Sequence, residues 1–455
     1  MSEPRARKAS ERPILIRGGE VVDPEQRRMM RADVLVQDGV IRAIEPGLGE
    51  KNAGGEDVLI VEAEGRLVIP GLVDMHVHLR EPGYEYRETI ESGALAAVSG
   101  GVTSVACMAN TRPVNDCPSV TRFILDRAEQ AGLARVLPIG AVSVGLKGEQ
   151  LAEFAGMVEE GIVAVSDDGL PVHDAELMRR ALECARLFNI PVLDHAEDPT
   201  LVAGGCMHEG AVSLRLGLQG IPAAAEDVMV ARDIALAELT GGHLHICHMS
   251  SGRAVEIVRA AKASGIHVTA EVCPHHLELT DEAVVPYRTD AKMAPPLRAE
   301  EDRIALREGL VDGTMDAIAT DHAPHHRDEK DVEFSIAQNG VVGLETLLPL
   351  TLKLVEEGVL DLPTAIARVT SEPAKILRVP YGRMVPGAPA DIAVVDADHE
   401  WTVTRTELRS KGKNTPFKDW KMRGRATATI VAGALVHQYE TTPQADGTRS
   451  AGAAS

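Results

Sequence analysis

Short runs of β-branched and apolar residues alternate with amphipathic helical stretches through most of this sequence, and this alternation is its strongest constraint on the fold. Strands that alternate with helices in this way are typical of parallel βα units. Eight units predict an α/β fold, a TIM-like (β/α)8 barrel. The eight predicted strands, each closed by a turn or a polar residue, lie at 71–78, 101–110, 135–144, 161–169, 190–198, 242–250, 266–276 and 315–324.

The two flanks of this region have a different pattern. They are Gly-rich, and they alternate apolar with polar residues. Each flank holds only a few strands, too few to bury a core alone, so we expect both to pair into one small β-sandwich domain. Residues 441–455 have the composition of a disordered tail. The predicted boundaries are 13–68 and 373–440 for the two parts of the sandwich and 69–372 for the barrel.

Charge and composition restrict the partners of the chain. The formal net charge of −21 argues against nucleic acid or an anionic membrane, because both bind basic surfaces. No uncharged stretch approaches the ~20 residues of a membrane span, and the first residues lack the apolar region of a signal peptide. The six cysteines are scattered without a C-x-x-C pair, which predicts reduced thiols in a cytoplasmic protein.

Polar residues close five of the eight predicted strands, and barrels of this type carry their chemistry at these carboxyl ends. His76 and His78 close the first strand, and side chains at i and i+2 point to the same face. The other four strand ends carry Asp168, His195, His248 and Asp321. Nitrogen and oxygen ligands without a thiolate suit zinc or a similar divalent ion in a hydrolytic role.

Other polar residues near these strand ends are interpreted as structural. His243 and His245 precede the end of the sixth strand, so we expect them to be structural and, at most, to contact the side chains that bind the metal. Asp167 is predicted to cap a turn, which leaves Asp168 as the ligand. His275 and His276 are expected to end the seventh strand, at the edge of the pocket. The other histidines near the site form a loop and are expected to be solvated; they are His322, His325 and His326.

Ten segments of the sequence closely resemble one enzyme family. They are GLVDMHVHLREPG, MANTRPVND, SDDG, DHAED, HICHMS, TAEVCPHHLELTD, APPLR, ATDHAPH, GLETLLPL and SKGKNTPF. On these segments the chain is identified as similar to the bacterial dihydroorotases, in the long, single-function subgroup of the cyclic amidohydrolase superfamily. The resemblance covers residues 13–440, and the combination of segments is far more specific than H-x-H alone.

The resemblance implies a zinc site with one or two ions per subunit, of which two are favoured. His76, His78 and Asp321 would hold one ion, and Asp168, His195 and His248 the second, with Asp168 bridging the two. Many relatives use a carboxylated lysine as the bridge, but the fourth strand, GIVAVSDDG, contains no lysine. The resemblance also implies that Asp321 is the catalytic base.

The implied activity is the reversible cyclisation of N-carbamoyl-L-aspartate to L-dihydroorotate in pyrimidine (UMP) synthesis. The planar guanidinium of Arg80 suits bidentate binding of a substrate carboxylate. Two positions depart from the family pattern, because Ala294 replaces an asparagine and Asn339 replaces an aromatic residue. The substrate-binding residues that the resemblance implies are His78, Arg80, Asn110, His325, Asn339 and Gly340.

Two alternatives remain open. A hydantoinase, dihydropyrimidinase or allantoinase would share the fold, but Arg80 and the missing lysine argue against a neutral ring as substrate. A non-catalytic scaffold for aspartate carbamoyltransferase would be expected to lack zinc ligands, whereas all six positions are present here. We expect a homo-oligomer, and a partnership with aspartate carbamoyltransferase is compatible with an active enzyme.

Overall fold

The computed structural model describes residues 12–48 and 58–439, so the predicted disordered tail at 441–455 lies outside the described residues. The strands within these ranges are β1 (Ile14–Asp23), β2 (Arg28–Gln37), β3 (Val40–Glu45), β4 (Leu59–Glu62), β5 (Leu67–Pro70), β6 (Leu72–Val77), β7 (Val102–Cys107), β8 (Arg135–Gly140), β9 (Ala164–Val165), β10 (Val192–Asp194), β11 (Met207–His208), β12 (Gly220–Ile221), β13 (Leu244–Ile246), β14 (Val268–Val272), β15 (Ala317–Ile318), β16 (Ile392–Thr402), β17 (Lys421–Val431) and β18 (Ala434–Gln438).

Helices follow most of the central strands. The helices of the same ranges are α1 (Ile90–Ser99), α2 (Pro118–Ala131), α3 (Phe154–Glu160), α4 (Ala175–Phe188), α5 (Pro199–Val202), α6 (Ala211–Leu216), α7 (Ala224–Thr240), α8 (Gly252–Ala263), α9 (Pro274–Glu278), α10 (Glu300–Asp312), α11 (Arg327–Lys330), α12 (Leu347–Glu356), α13 (Leu362–Arg368) and α14 (Ser371–Ile376). Helix α4 is an example of how the sequence favours a helix at these places. Asp174 caps its first turn, and Leu177, Ala181 and Ala185 form its buried face.

The central strands form the predicted (β/α)8 barrel. Strands β6 to β10 and β13 to β15 pair in parallel, in chain order. The first and last strands meet at a bridge between Val77 and His322, where the His78 N–H donates to His322 O at 2.8 Å. Each observed strand is shorter than its predicted run, because the last residues of each run leave the sheet and form the mouth of the barrel.

The two flanks build one β domain beside the barrel, as predicted. Strand β5 pairs in parallel with β1 and antiparallel with β16, so both ends of the described chain share a sheet. Ile16, Val34 and Val68 from the first flank pack in one core with Ile392 and Ile430 from the second. Neither flank could bury these side chains alone, which explains why they fold together.

The helices and the cysteines of the structure relate to what the sequence predicts about membranes and disulfides. Within residues 12–48 and 58–439, every helix is too short or too polar to span a bilayer. All six cysteines lie in the described part of the chain, and each is a free thiol there.

Candidate active site

The six predicted metal ligands lie together at the carboxyl end of the barrel. His76 lies in β6 and His78 follows that strand directly. The other four side chains come from the loops after β9, β10, β13 and β15, and all six are buried. The parallel strands therefore bring residues from distant parts of the sequence to one place. They are His76, His78, Asp168, His195, His248 and Asp321.

Asp168 lies at the centre of this group, in contact with four imidazoles. Its Oδ1 is 3.2 Å from His248 Nε2, 3.4 Å from His76 Nε2 and 3.7 Å from His195 Nδ1. Its Oδ2 is 3.3 Å from His78 Nε2. A carboxylate whose two oxygens both face imidazole nitrogens belongs to a donor set that fits a divalent cation.

Asp321 is the second carboxylate of the group, with Oδ1 3.1 Å from His78 Nε2 and 3.6 Å from His76 Nε2. The His76 Nε2 atom is completely buried and has no hydrogen-bond partner among the described residues. Ligand atoms of His76, His78 and Asp321 lie within 4.8 Å of one another, as do those of His76, Asp168 and His248. A buried nitrogen without a partner, facing two carboxylates, fits a divalent cation.

Both aspartates are anionic at neutral pH. Burial opposes ionisation of Asp168, but the charge of His76 and hydrogen bonds from His195 and His248 hold the pKa of its carboxyl well below the usual range. Burial acts in the same way on Asp321, and the hydrogen bond from His78 and nearby histidine charges keep its pKa below the usual value. Two ionised carboxylates among imidazoles form a donor set for a cation.

The backbone is strained at this mouth. Its φ angle lies in the left-handed region at Arg80 (+63°), His248 (+33°) and Asp321 (+47°). Such conformations cost about 1–3 kcal/mol for residues with a Cβ and persist only where the surroundings fix them. The backbone next to Asp321 is held by such a contact, because the N–H of the preceding residue, Thr320, donates to Asp74 Oδ1 at 3.1 Å.

Arg80 is a buried cation beside the ligand group. Its Nε donates to Pro324 O at 3.2 Å, and its Nη2 lies 3.4 Å from His325 Nε2. Burial and the charge of Arg87 lower the pKa of Arg80 to about 10, which leaves it protonated at neutral pH. No carboxylate in the described part of the chain forms an ion pair with it. A buried, unpaired guanidinium is a binding site for an anion.

The other predicted substrate-binding residues surround Arg80 or the ligands. Asn110 Oδ1 lies 2.9 Å from His78 Nδ1, so this amide orients a predicted ligand. His325 Nε2 lies 2.7 Å from Asn339 O. Burial, followed by the charges of Arg80 and nearby cations, lowers the pKa of His325 to about 3, so this imidazole is neutral. Gly340 is bonded within the protein, because its N–H donates to a backbone carbonyl at 3.0 Å.

Asp167, His322 and His325 lie near the site, and the structure can be compared with what the sequence predicts for each. Asp167 fixes a turn as predicted, since its Oδ1 accepts hydrogen bonds from the backbone N–H of Val142 (2.8 Å) and Ser143 (2.9 Å). The prediction of a solvated histidine loop is wrong for His322 and His325, which are buried. His322 is buried because the strand that it follows closes the barrel against β6.

Two polar residues contact the site without having been assigned a role from the sequence. Glu271, on β14, lies with Oε1 2.6 Å from His76 Nδ1. Asn414 accepts a hydrogen bond from the His325 N–H at 2.9 Å and donates one to Gly340 O at 3.0 Å. The motif SKGKNTPF was a signal for Asn414, and TAEVCPHHLELTD was one for Glu271, although neither segment indicates which residue its polar side chain meets.

The sequence is similar to known proteins over most of its length. The sequence model of the family described as Dihydro-orotase-like matches residues 65–254. The chain is 53% identical over 425 residues to a dihydroorotase of Syntrophotalea carbinolica, with 93% of this chain and 99% of the relative covered. It is 53% identical over 427 residues to a dihydroorotase of Anaeromyxobacter dehalogenans, with 93% and 98% covered.

Solved structures of related enzymes share the fold. An L-hydantoinase (dihydropyrimidinase) from Arthrobacter aurescens superposes with a TM-score of 0.82 at 25% identity, covering 93% of this chain and 96% of its own. A dihydropyrimidinase from Brevibacillus agri has a TM-score of 0.79 at 22% identity, with 94% and 95% covered. Together with the histidine and aspartate cluster, this fold defines a cyclic amidohydrolase. At 53% identity over 93% of its length to curated relatives, the chain belongs to the dihydroorotase family.

Proposed function

We propose that this chain interconverts N-carbamoyl-L-aspartate and L-dihydroorotate with zinc held at the barrel mouth. The observation that carries the proposal is the group of six ligand-type side chains around the unpartnered His76 Nε2. His76, His78 and Asp321 would hold one ion. Asp168 would bridge it to a second ion, completed by His195 and His248. When bound, zinc supplies a Lewis acid and lowers the pKa of water toward neutrality.

The residues of the chain then move one proton. In the hydrolytic direction, Asp321 takes a proton from the water that attacks the ring carbonyl carbon. As the bond from that carbon to the ring nitrogen breaks, Asp321 returns the proton to the nitrogen. The lowered pKa of Asp321 keeps its carboxyl ionised at neutral pH, and the ionised form is the one that accepts a proton. Ring closure follows the same path in reverse.

The substrate carboxylate is proposed to bind Arg80. The guanidinium is buried and has no carboxylate partner among the described residues, so an anion that enters the site gains a charge-assisted hydrogen bond without displacing another anion. His325 Nε2 lies close to both Arg80 Nη2 and Asn339 O, and as a neutral imidazole His325 donates from this atom to Asn339 O, which holds the backbone of Asn339 in place. Asn110 fixes the ring of His78 through its Oδ1.

Replacement of Arg80 by lysine is expected to raise KM for L-dihydroorotate roughly 10- to 100-fold, with a smaller change in kcat. Lysine cannot form the planar pair of hydrogen bonds, and a hydrogen bond to a charged group contributes about 1.5–3 kcal/mol. Steady-state kinetics would measure the effect. Arg122→Lys is the control, because Arg122 pairs with Glu160 on the surface. An unchanged KM in Arg80→Lys would contradict the carboxylate site.

Zinc content tests the proposed ligands directly. The purified chain is expected to carry two zinc ions, and His195→Ala is expected to carry one, because His195 belongs to the second ion alone. Elemental analysis against protein concentration would give both counts, and circular dichroism would show that the variant is folded. A folded wild-type chain that retains no zinc after saturation and desalting would refute the proposed metal site.

The remaining predictions from the sequence concern partners and location. A homo-oligomer and a partnership with aspartate carbamoyltransferase stay predictions. The free thiols of all six cysteines support a cytoplasmic location. The net charge of −21 argues against a nucleic-acid partner, and it means that an anionic substrate has to be bound by a local cation.

A further inference from the structure

A chain of hydrogen bonds extends from the proposed metal site into the barrel. His76 Nδ1 lies 2.6 Å from Glu271 Oε1, and Glu271 Oε2 lies 3.3 Å from His245 Nε2. His245 Nδ1 lies 2.8 Å from Thr269 Oγ1, which is 2.9 Å from His243 Nε2. We call these five residues the interior chain. It includes the second H-x-H pair of the sequence, which the proposed reaction does not use.

The fold places the interior chain inside the barrel. His245 and Thr269 are paired neighbours on the adjacent strands β13 and β14. Leu244 and Ile246, which flank His245, belong to the apolar cluster that includes the surrounding helices. Side chains alternate between the two faces of a strand, so His245 points to the interior. Both His245 and Glu271 are completely buried, and an ionised carboxylate at such a place requires hydrogen-bond donors.

Histidine binds a metal in its neutral form, and with neutral imidazoles and Glu271 as a carboxylate the bonds have one consistent assignment. Glu271 as a carboxylate only accepts, so His76 donates from Nδ1 and His245 donates from Nε2. His245 Nδ1 is then an acceptor and takes the Thr269 hydroxyl proton. The Thr269 oxygen in turn accepts from His243 Nε2, and the buried His243 Nδ1 has no hydrogen-bond partner among the described residues.

This assignment has a direct consequence for His76. With its proton on Nδ1, the lone pair lies on Nε2, the atom that faces Asp168 and Asp321. We infer that Glu271 is a positioning residue, which fixes the tautomer and the ring orientation of His76 for metal binding. His245 and Thr269 hold Glu271 in place. This inference rests on the proposed zinc site, and it assigns a role to residues outside the ligand set.

The test compares Glu271→Gln with a control of the same kind. Glutamine keeps the shape of the side chain but removes its charge. We expect the zinc affinity of Glu271→Gln to fall about 10- to 100-fold, the range typical of partners behind metal-bound histidines. Competition with a chromophoric chelator, without substrate, would measure it. The control is Asp391→Asn, another buried carboxylate, whose Oδ2 accepts from Arg135 Nε at 2.8 Å far from the ligands.

Both variants are expected to lower the melting temperature, but only Glu271→Gln is expected to weaken zinc binding. If both bind zinc with wild-type affinity, Glu271 is merely structural and the inference is wrong.

If Glu271→Gln does not fold, Thr269→Val replaces it as the test variant and removes one donor from the interior chain. Its zinc affinity should fall below that of Thr351→Val, a buried threonine whose hydroxyl donates within a helix. Equal affinities of these two would overturn the inference.

A second readout separates this inference from the proposed function. The His76 Nδ1 proton, held by Glu271, should give a downfield NMR signal that exchanges slowly with water even in zinc-free protein. The signal should be present in wild-type protein and in Asp391→Asn, and it should move upfield in Glu271→Gln, because a neutral amide oxygen is a weaker acceptor than a carboxylate. If the wild-type chain binds no zinc, the proposed metal site fails, and this signal still reports whether Glu271 fixes the tautomer. Its absence from zinc-free wild-type protein would refute the positioning role.

Discussion

Removal of metal from this chain is expected to abolish turnover of L-dihydroorotate, and zinc is expected to restore it. Without a Lewis acid, no group of the chain can polarise the ring carbonyl and acidify the water together. The stabilisation that a bound metal supplies is several kcal/mol, so kcat should fall roughly 1,000-fold or more. Dialysis against a chelator, followed by titration with zinc and an assay at each step, would measure both the loss and the recovery.

The control for this experiment is magnesium in place of zinc. Magnesium prefers oxygen ligands in octahedral geometry, so a site that contains four histidines should gain little activity from it. Thermal melting of the zinc-free chain would show that loss of activity is not loss of folding. Full turnover by folded protein that contains no metal would contradict the proposed mechanism.

Replacement of Asp321 by asparagine is expected to lower kcat about 100- to 10,000-fold, the usual contribution of a general base. The amide keeps the shape of the side chain and an oxygen that can contact His78, but it cannot take a proton. KM should change little, because Asp321 is not among the groups proposed to hold the substrate carboxylate. Kinetics in both reaction directions should show the same loss, since one residue moves the proton in both.

Asp167→Asn is the matched control for this substitution. Asp167 is also a buried aspartate that follows a barrel strand, but it accepts hydrogen bonds from the backbone N–H of Val142 and Ser143. Its replacement should lower stability more than kcat. Zinc content, measured for both variants, separates a lost base from a lost ligand. If Asp321→Asn retains zinc and wild-type kcat, another residue must act as the base.

The barrel and its ligands could be predicted because their signals are local. His76 and His78 share a face at a spacing of two residues, and a strand end is visible as a turn or a polar residue. Because barrels of this type carry their active sites at the carboxyl ends of the strands, Asp168 and Asp321 were expected to lie beside these histidines. The lengths of strands were less accurate, because the residues that carry function continue the apolar pattern beyond the last ladder hydrogen bond.

Long-range polar contacts could not be predicted in this way. Glu271 meets His76 across the barrel interior, 195 residues away in sequence, and nothing in its own strand indicates the partner. His322 was expected to be solvated, since its burial depends on the closure of the barrel against Val77. A sequence pattern reports the periodicity of one element. It does not report which side chains meet when distant elements close around a common interior.

The contacts of Asn414 mean that the C-terminal flank supports the proposed substrate site of the barrel from behind. The six proposed ligands are all supplied by the barrel, whereas Asn414 belongs to the C-terminal flank and binds the backbone at His325 and Gly340. His325 and Asn414 are 89 residues apart in sequence. The barrel without the flank would therefore keep all six proposed ligands and Arg80, but it would lose the two hydrogen bonds that hold the backbone at His325 and Gly340. A substitution at Asn414 would act on the proposed substrate site through the backbone alone, and it would leave the proposed ligands in place.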